Sequence, residues 1–190
     1  MTADENSIQR PAFTSVSIYN DQSGLLSFWY ASEWQLYAAP TTLPSITLTP
    51  DPTDAETHIA VTVRDLGAPL AAKERRAILQ GVREGLASLD GCVVEALAEL
   101  SEGGRWGIEW HCTFLAGGQR CRRRARMFFS DRYQYAIVLQ GSSEERYAYW
   151  QGMFEWTMLT VGTAPFSIQG WQASQATVEE QGKGGGQTIA

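Results

Sequence analysis

Most of the side chains able to do chemistry in this chain lie between Trp106 and Phe129. Arg122, Arg124 and Arg126 recur at every second position, Glu109 and His111 do the same upstream, and Gly117-Gly118 separates the two runs. A two-residue glycine turn fixes the register of its flanking strands, because both turn residues need positive φ. Trp106 then faces Phe129, Ile108 faces Met127, Trp110 faces Ala125 and Phe114 faces Cys121, which makes one apolar face. On the other face Glu109 meets Arg126, His111 meets Arg124 and Thr113 meets Arg122. Side chains two apart on a strand stand about 7 Å from each other, so three guanidiniums form a rigid row suited to carboxylates or phosphates. A structural role fits the same residues: a Glu109–Arg126 cross-strand pair, with arginine stems covering the solvent face of a sheet. Both readings stay open. Arg123 breaks the pattern, since alternation turns it towards the apolar face, as a rim residue or as a buried ionic contact.

Other reactive residues form no known constellation. His111 and Cys112 are adjacent on one strand and point to opposite faces, and neither C-x-x-C nor H-E-x-x-H occurs, so no metal site is expected. Cys112 and Cys121 fall diagonally on one face, too far apart for an unstrained bridge, and read as buried thiols. No G-x-S-x-G elbow is present, and a lone His111 beside arginine makes a poor general base. Gly182-Lys183-Gly184 imitates part of a phosphate loop without its strand and helix, and reads as linker. Tyr149 and Trp156, seven apart, are either covered by the C-terminal segment around Trp171 or form a partner-binding patch.

These residues need elements to hold them. Strands are expected at Phe13–Ile18, Leu25–Tyr30, Ile46–Thr49 and His58–Leu66, followed by a helix from Pro69 to Leu89 with the apolar stripe Ile78, Val82, Leu86, Leu89. Gly81 and Gly85 within that helix imply close packing, since each costs up to about 1 kcal/mol relative to Ala. Gly91 stops it. Four successive strands follow, Cys92–Leu100, Arg105–Leu115, Arg120–Phe129 and Tyr133–Gln140, turning at Gly103-Gly104, Gly117-Gly118 and Ser130-Asp131-Arg132. Trp110 is mid-strand on the apolar face and is expected to be deeply buried. A closing helix begins at Ser142, with Glu145 completing a capping box, and carries the stripe Tyr147, Trp150, Phe154, Met158, Val161. The fold class is therefore α+β: an antiparallel β-meander sheet with two amphipathic helices packed on it. Residues 1–11 are a flexible lead-in, 12–161 a single domain, and 162–190 a flexible tail in which Phe166 and Trp171 could dock back onto the sheet.

The 190 residues are 44% hydrophobic and 19% charged, with seven each of Trp, Tyr and Phe, as for one globular domain with a ring-rich core or binding surface. A net charge of −6 argues against a general nucleic-acid binder. Three cysteines and no disulfide framework suit a reducing compartment, and the polar start with no long apolar run reads as cytoplasmic, without a membrane span.

The run Leu26-Ser27-Phe28-Trp29-Tyr30-Ala31-Ser32-Glu33-Trp34, an aromatic strand, a short turn and a Trp, resembles the opening of PsbP-like and DcrB-like domains, and the later element order matches over about residues 12–161. The resemblance implies an α/β/α sandwich used mainly as a non-enzymatic adaptor; relatives include photosystem assembly subunits, a Ran-GTPase-binding family, bacterial lipoproteins and chaperones of membrane-active secretion effectors. No catalytic residue carries over. The expected function is a non-enzymatic protein-binding module, an adaptor or chaperone of a bacterial secretion system, with Arg122, Arg124, Arg126, His111, Tyr149 and Trp156 as candidate partner-binding residues. The alternative is a binder of a small apolar ligand between sheet and helix. No cofactor is expected; the partner is a protein, with a homodimer as a further option.

Overall fold

The computed structural model describes Pro11 and residues 14–102 and 104–163. The rest of the lead-in, Ala12, Phe13, Gly103 and the segment from 164, with Phe166, Trp171 and Gly182-Lys183-Gly184, lie outside the described residues.

The four-strand meander forms as its turn residues dictate, from β6 (Val93–Glu102) through β7 (Arg105–Ala116) and β8 (Gln119–Ser130) to β9 (Tyr133–Gly141). In the central hairpin Trp106 faces Phe129, Glu109 faces Arg126, His111 faces Arg124 and Phe114 faces Cys121. Gly117 and Gly118 both have positive φ, 58° and 81°, as a type I′ turn requires. The expected register is the observed one.

Beyond β9 the sheet grows backwards in sequence. β5 (His58–Asp65) pairs with β9, β4 (Ser45–Thr49) with β5, and β3 (Gln35–Ala38) with β4, giving seven strands in the order β3-β4-β5-β9-β8-β7-β6. β3 was not expected, because four residues are too few to display alternation. A second, three-stranded sheet joins β1 (Val16–Asn20), β2 (Leu26–Ala31) and β10 (Gly162–Thr163). The expected meander stands within the larger sheet, and the regular structure continues past the expected domain end at residue 161: Gly162 pairs with Ser27, Thr163 with Leu26, and Thr163 is fully buried. Two residues carry no periodicity from which such a strand could be read.

Alternation on β5 and β9 brings Ile59, Val61 and Val63 opposite Leu139, Ile137 and Tyr135 on one face. α2 (Glu144–Thr160) covers that face with Tyr147, Met153, Phe154 and Met158, while β2 adds Leu26 and Phe28. Each such side chain, fully buried, contributes about 1.5–3 kcal/mol. Trp34 locks α2 down by meeting Trp150 and Phe154 edge-on, at 5.0 and 6.2 Å between ring centroids. The helix starts one residue later than expected. Ser143 is the N-cap, its Oγ accepting the Arg146 N–H at 3.1 Å, and Ser142 is buried against Thr57 and Asp54.

α1 (Arg75–Ala87) lies on the opposite face and is shorter than the expected 69–89. A 3₁₀ turn, Ala72–Glu74, precedes it, and Ala71 is extended, its N–H bound to Glu74 Oε2 at 2.9 Å. The segment through Pro69 is therefore an approach loop. Ile78, Val82, Leu86 and Leu89 pack on Trp106, Ile108, Phe129, Cys112 and Phe114, so the expected stripe is the one used.

Candidate functional site

The arginine row projects from β8 on the face that α2 packs, beside the core residues Leu139 and Ile137. It is not the bare solvent face of a sheet. Each member is engaged: Arg122 Nη2 donates to Glu95 Oε2 at 2.7 Å, Arg124 Nε to Glu109 Oε1 at 2.9 Å, and Arg126 Nε to Glu109 Oε2 at 2.7 Å. Arg122 also lies over the Tyr147 ring. Glu109, only 13% exposed, holds two guanidiniums and His111 Nε2 at 3.1 Å. Burial works to raise its carboxyl pKa, but the His111 and Arg126 hydrogen bonds and the charges of Arg126 and Arg124 outweigh it and hold the group below the usual 4.5. Two carboxylates thus draw on three arginines, leaving the row one positive charge in excess.

A cavity lies on the other face. A groove of about 1110 Å³ runs between α1 and the sheet, just above the roughly 300–1,000 Å³ that ligand pockets occupy. Trp110, Met127 and Phe129 form its floor, and Ile78, Val82 and Leu86 its wall. Ala77, Gly81 and Gly85, one helical stripe over from the packed residues, also line it. A Cβ built on Gly81 or Gly85 would meet nothing within 4 Å. Close packing does not explain these glycines; they border open space. Trp110 is correspondingly half-buried rather than sealed in the core. Arg123 lies at the groove as well. It lies over the Phe114 ring, 4.5 Å from the centroid, and its Nε donates to Gln140 Oε1 at 2.8 Å.

The three cysteines are free thiols. All three belong to the apolar cluster under Leu86. Burial pushes the Cys112 thiol up to about 11 and raises Cys121 as well, so both stay protonated at neutral pH and are unactivated as nucleophiles. Among the described residues no three of His, Cys, Asp and Glu converge on a common point.

Comparison with solved structures places this geometry. Over 80% of this chain and 94% of the other, it is similar to the solution structure of cyanobacterial PsbP (CyanoP) from Synechocystis, with a TM-score of 0.57 and 12% identity. The fold is PsbP-like. The crystal structure of LpqN, involved in cell envelope biogenesis of Mycobacterium tuberculosis, matches over 77% of this chain and 89% of its own at 9% identity, TM-score 0.55. A protein of unknown function from Pseudomonas aeruginosa, PA94, described as a putative regulator, aligns at TM-score 0.46 and 9% identity, covering 76% of this chain and 94% of its own. No family model and no curated protein sequence matches the chain. At such identities the likeness is one of fold, and it carries the PsbP-like expectation at that level.

On this PsbP-like frame the expected partner-binding residues do not assemble into one site. Arg122, Arg124, Arg126 and His111 cluster around Glu109 and Glu95, whereas Tyr149 and Trp156 belong to α2. Tyr149 meets Trp150 edge-on at 5.0 Å, and Trp156, 45% exposed, meets Trp29 at 6.2 Å. The groove residues Trp110, Met127 and Arg123 were missed as a site. The signals are present in the sequence, in helical glycines that suggest packing and in an arginine of the wrong parity that suggests a rim residue or a buried ionic contact.

Proposed function

We propose that this chain is a non-enzymatic binding module that holds an apolar guest in the groove between α1 and the seven-stranded sheet. The observation that carries this reading is the open space in front of Gly81 and Gly85 on a helix whose neighbouring stripe is packed. A helix under selection for stability alone gains by placing Ala at both positions. Glycines kept there leave the groove wide, and its floor offers aromatic and thioether surface, polarisable and adaptable to a guest. The protonated, buried thiols support a role without covalent chemistry, and three free cysteines support a reducing, cytoplasmic setting.

The test is a titration with N-phenyl-1-naphthylamine, a neutral apolar dye that brightens in dry surroundings. The wild-type protein should bind it saturably. Gly81→Leu, which puts a side chain into the groove at a position free of backbone strain, should not lower the melting temperature and should weaken dye binding at least tenfold. Equal binding by both proteins would sink the groove reading.

A second reading, the protein-binding adaptor or chaperone, is favoured by the outer surface of α2. Trp156 and, three residues on, Leu159 at 81% exposure present apolar surface to solvent, and Trp is enriched among interface anchors. Under that reading Trp156→Ala should abolish capture of a polypeptide partner while dye binding in the groove is unaffected.

A further inference from the structure

The groove is apolar along its length but not in its charges. Four charged residues line it: Arg64, Lys73, Arg123 and Glu74. Glu74 already accepts the Ala71 N–H. The balance is positive, in a chain whose net charge is −6. Arg123 is the member set into the apolar part. It is half-buried, it lies against Phe114, and its hydrogen bonds both go to the neutral Gln140. The carboxylate next in line, Glu56, is on the far side of that amide, accepting from Gln140 Nε2 at 2.7 Å. Among the described residues no carboxylate forms an ion pair with Arg123, whereas Arg122, Arg124 and Arg126 each have one. A half-buried guanidinium without a counter-charge is costly unless something supplies one.

Length defines the rest of the guest. Arg123 and Phe129 are both groove residues on β8, six positions apart. Six residues of extended strand span about 20 Å, the reach of an extended alkyl chain of about sixteen carbons.

Building on the groove reading above, we propose that the guest is a long-chain fatty acid. Its carboxylate pairs with the free edge of the Arg123 guanidinium, and its chain lies over Trp110 and Met127 towards Phe129. Arg64 and Lys73, exposed at the rim, add attraction for the anion without touching the chain.

The experiment is displacement of the bound dye by dodecanoate and by dodecan-1-ol, shorter and more soluble than the guest itself, which share a chain and differ in charge and so probe the head-group contact with Arg123. Wild type should be displaced by the acid at a concentration at least tenfold lower, the scale of a charge-assisted hydrogen-bonded contact. Arg123→Gln should lose that preference while dodecan-1-ol displaces as before. Arg123→Lys, which keeps the charge, should retain the preference, and melting curves for both variants report folding. Should Arg123→Gln fail to fold, the wild-type comparison of acid with alcohol still decides. Equal displacement by acid and alcohol, or a preference that survives in Arg123→Gln, would overturn the fatty-acid assignment and leave the groove reading standing. If the dye itself does not bind, both fall.

Discussion

Replacing Gly81 and Gly85 together by Ala separates a packing explanation of these glycines from a groove explanation. Both are in α1 with no unusual φ, and a Cβ at either position has nothing within 4 Å. The change should therefore release only the helix-propensity penalty, about 1 kcal/mol at mid-helix Gly81 and less at Gly85 in the last turn. A combined gain of roughly 1.5 kcal/mol corresponds to a rise of about 3–6 °C in melting temperature for a domain of this size. The assay is thermal unfolding followed by circular dichroism at 222 nm, with a guanidinium titration to confirm that the denaturant slope is unchanged. Dye binding should persist, because a methyl group only trims the groove, in contrast to Gly81→Leu. A fall in melting temperature would mean that another group lies against the glycines and that they do not border open space.

Thr57→Val should cost about 2 kcal/mol, or roughly 4–8 °C, because it removes the hydroxyl that bonds Asp54 Oδ2 at 2.7 Å and accepts the buried Ser142 N–H at 3.0 Å; an unchanged melt would show that water replaces it. The depressed Glu109 pKa contributes stability that is fully present above its ordinary value of 4.5 and is lost as pH falls through the lower folded value. Glu109→Gln should therefore be less stable than wild type at pH 7, with the two stability curves converging in acid; parallel curves would contradict the assigned ion pairs. Trp106, buried, stacked on Phe129 at 5.4 Å and donating to Glu99, should lose about 3–5 kcal/mol on replacement by Ala. Trp110→Ala should lose clearly less and should weaken dye binding, and unfolding by guanidinium checks the order.

Where several signals agreed, the sequence was legible. Alternation, a double glycine and an opposite-charge pair all specified one β7–β8 register, since a one-residue slip would turn every side chain to the wrong face. The elements that escaped were short: β3 with four residues and β10 with two, held by sheet pairing rather than by their own pattern. The caps slipped by small amounts for a similar reason. Ser142 and Ser143 are equivalent by propensity, and only the buried Thr57 and Asp54 decide which one caps α2. Alternation puts Arg122, Arg124 and Arg126 in one row, as observed, but it assigns faces without saying which face the next helix will cover. Glu95 could not be matched to Arg122 from sequence, since the β-bulge between Val94 and Ala96 shifts its register.

A ligand site between sheet and helix is an expectation of the sequence, but the residues that line it are marked there only by local violations that look unrelated. Gly81 and Gly85 weaken a helix that needs no glycine for packing, and Arg123 puts a charge on the face where Trp106, Ile108 and Met127 do their packing. An alanine pair and an aliphatic residue would serve the fold better at those positions. Sequences that specify one fold tend to be consistent across levels, and the exceptions concentrate where function imposes a different demand. Here the exceptions come from elements far apart in sequence, and folding brings them onto the two sides of a single cavity. Glycines chosen for packing would have been filled by neighbours, and an arginine chosen for stability would have found a carboxylate, as the other three did. A site that keeps space on its helical wall and a cation on its floor meets both needs of an elongated anionic guest.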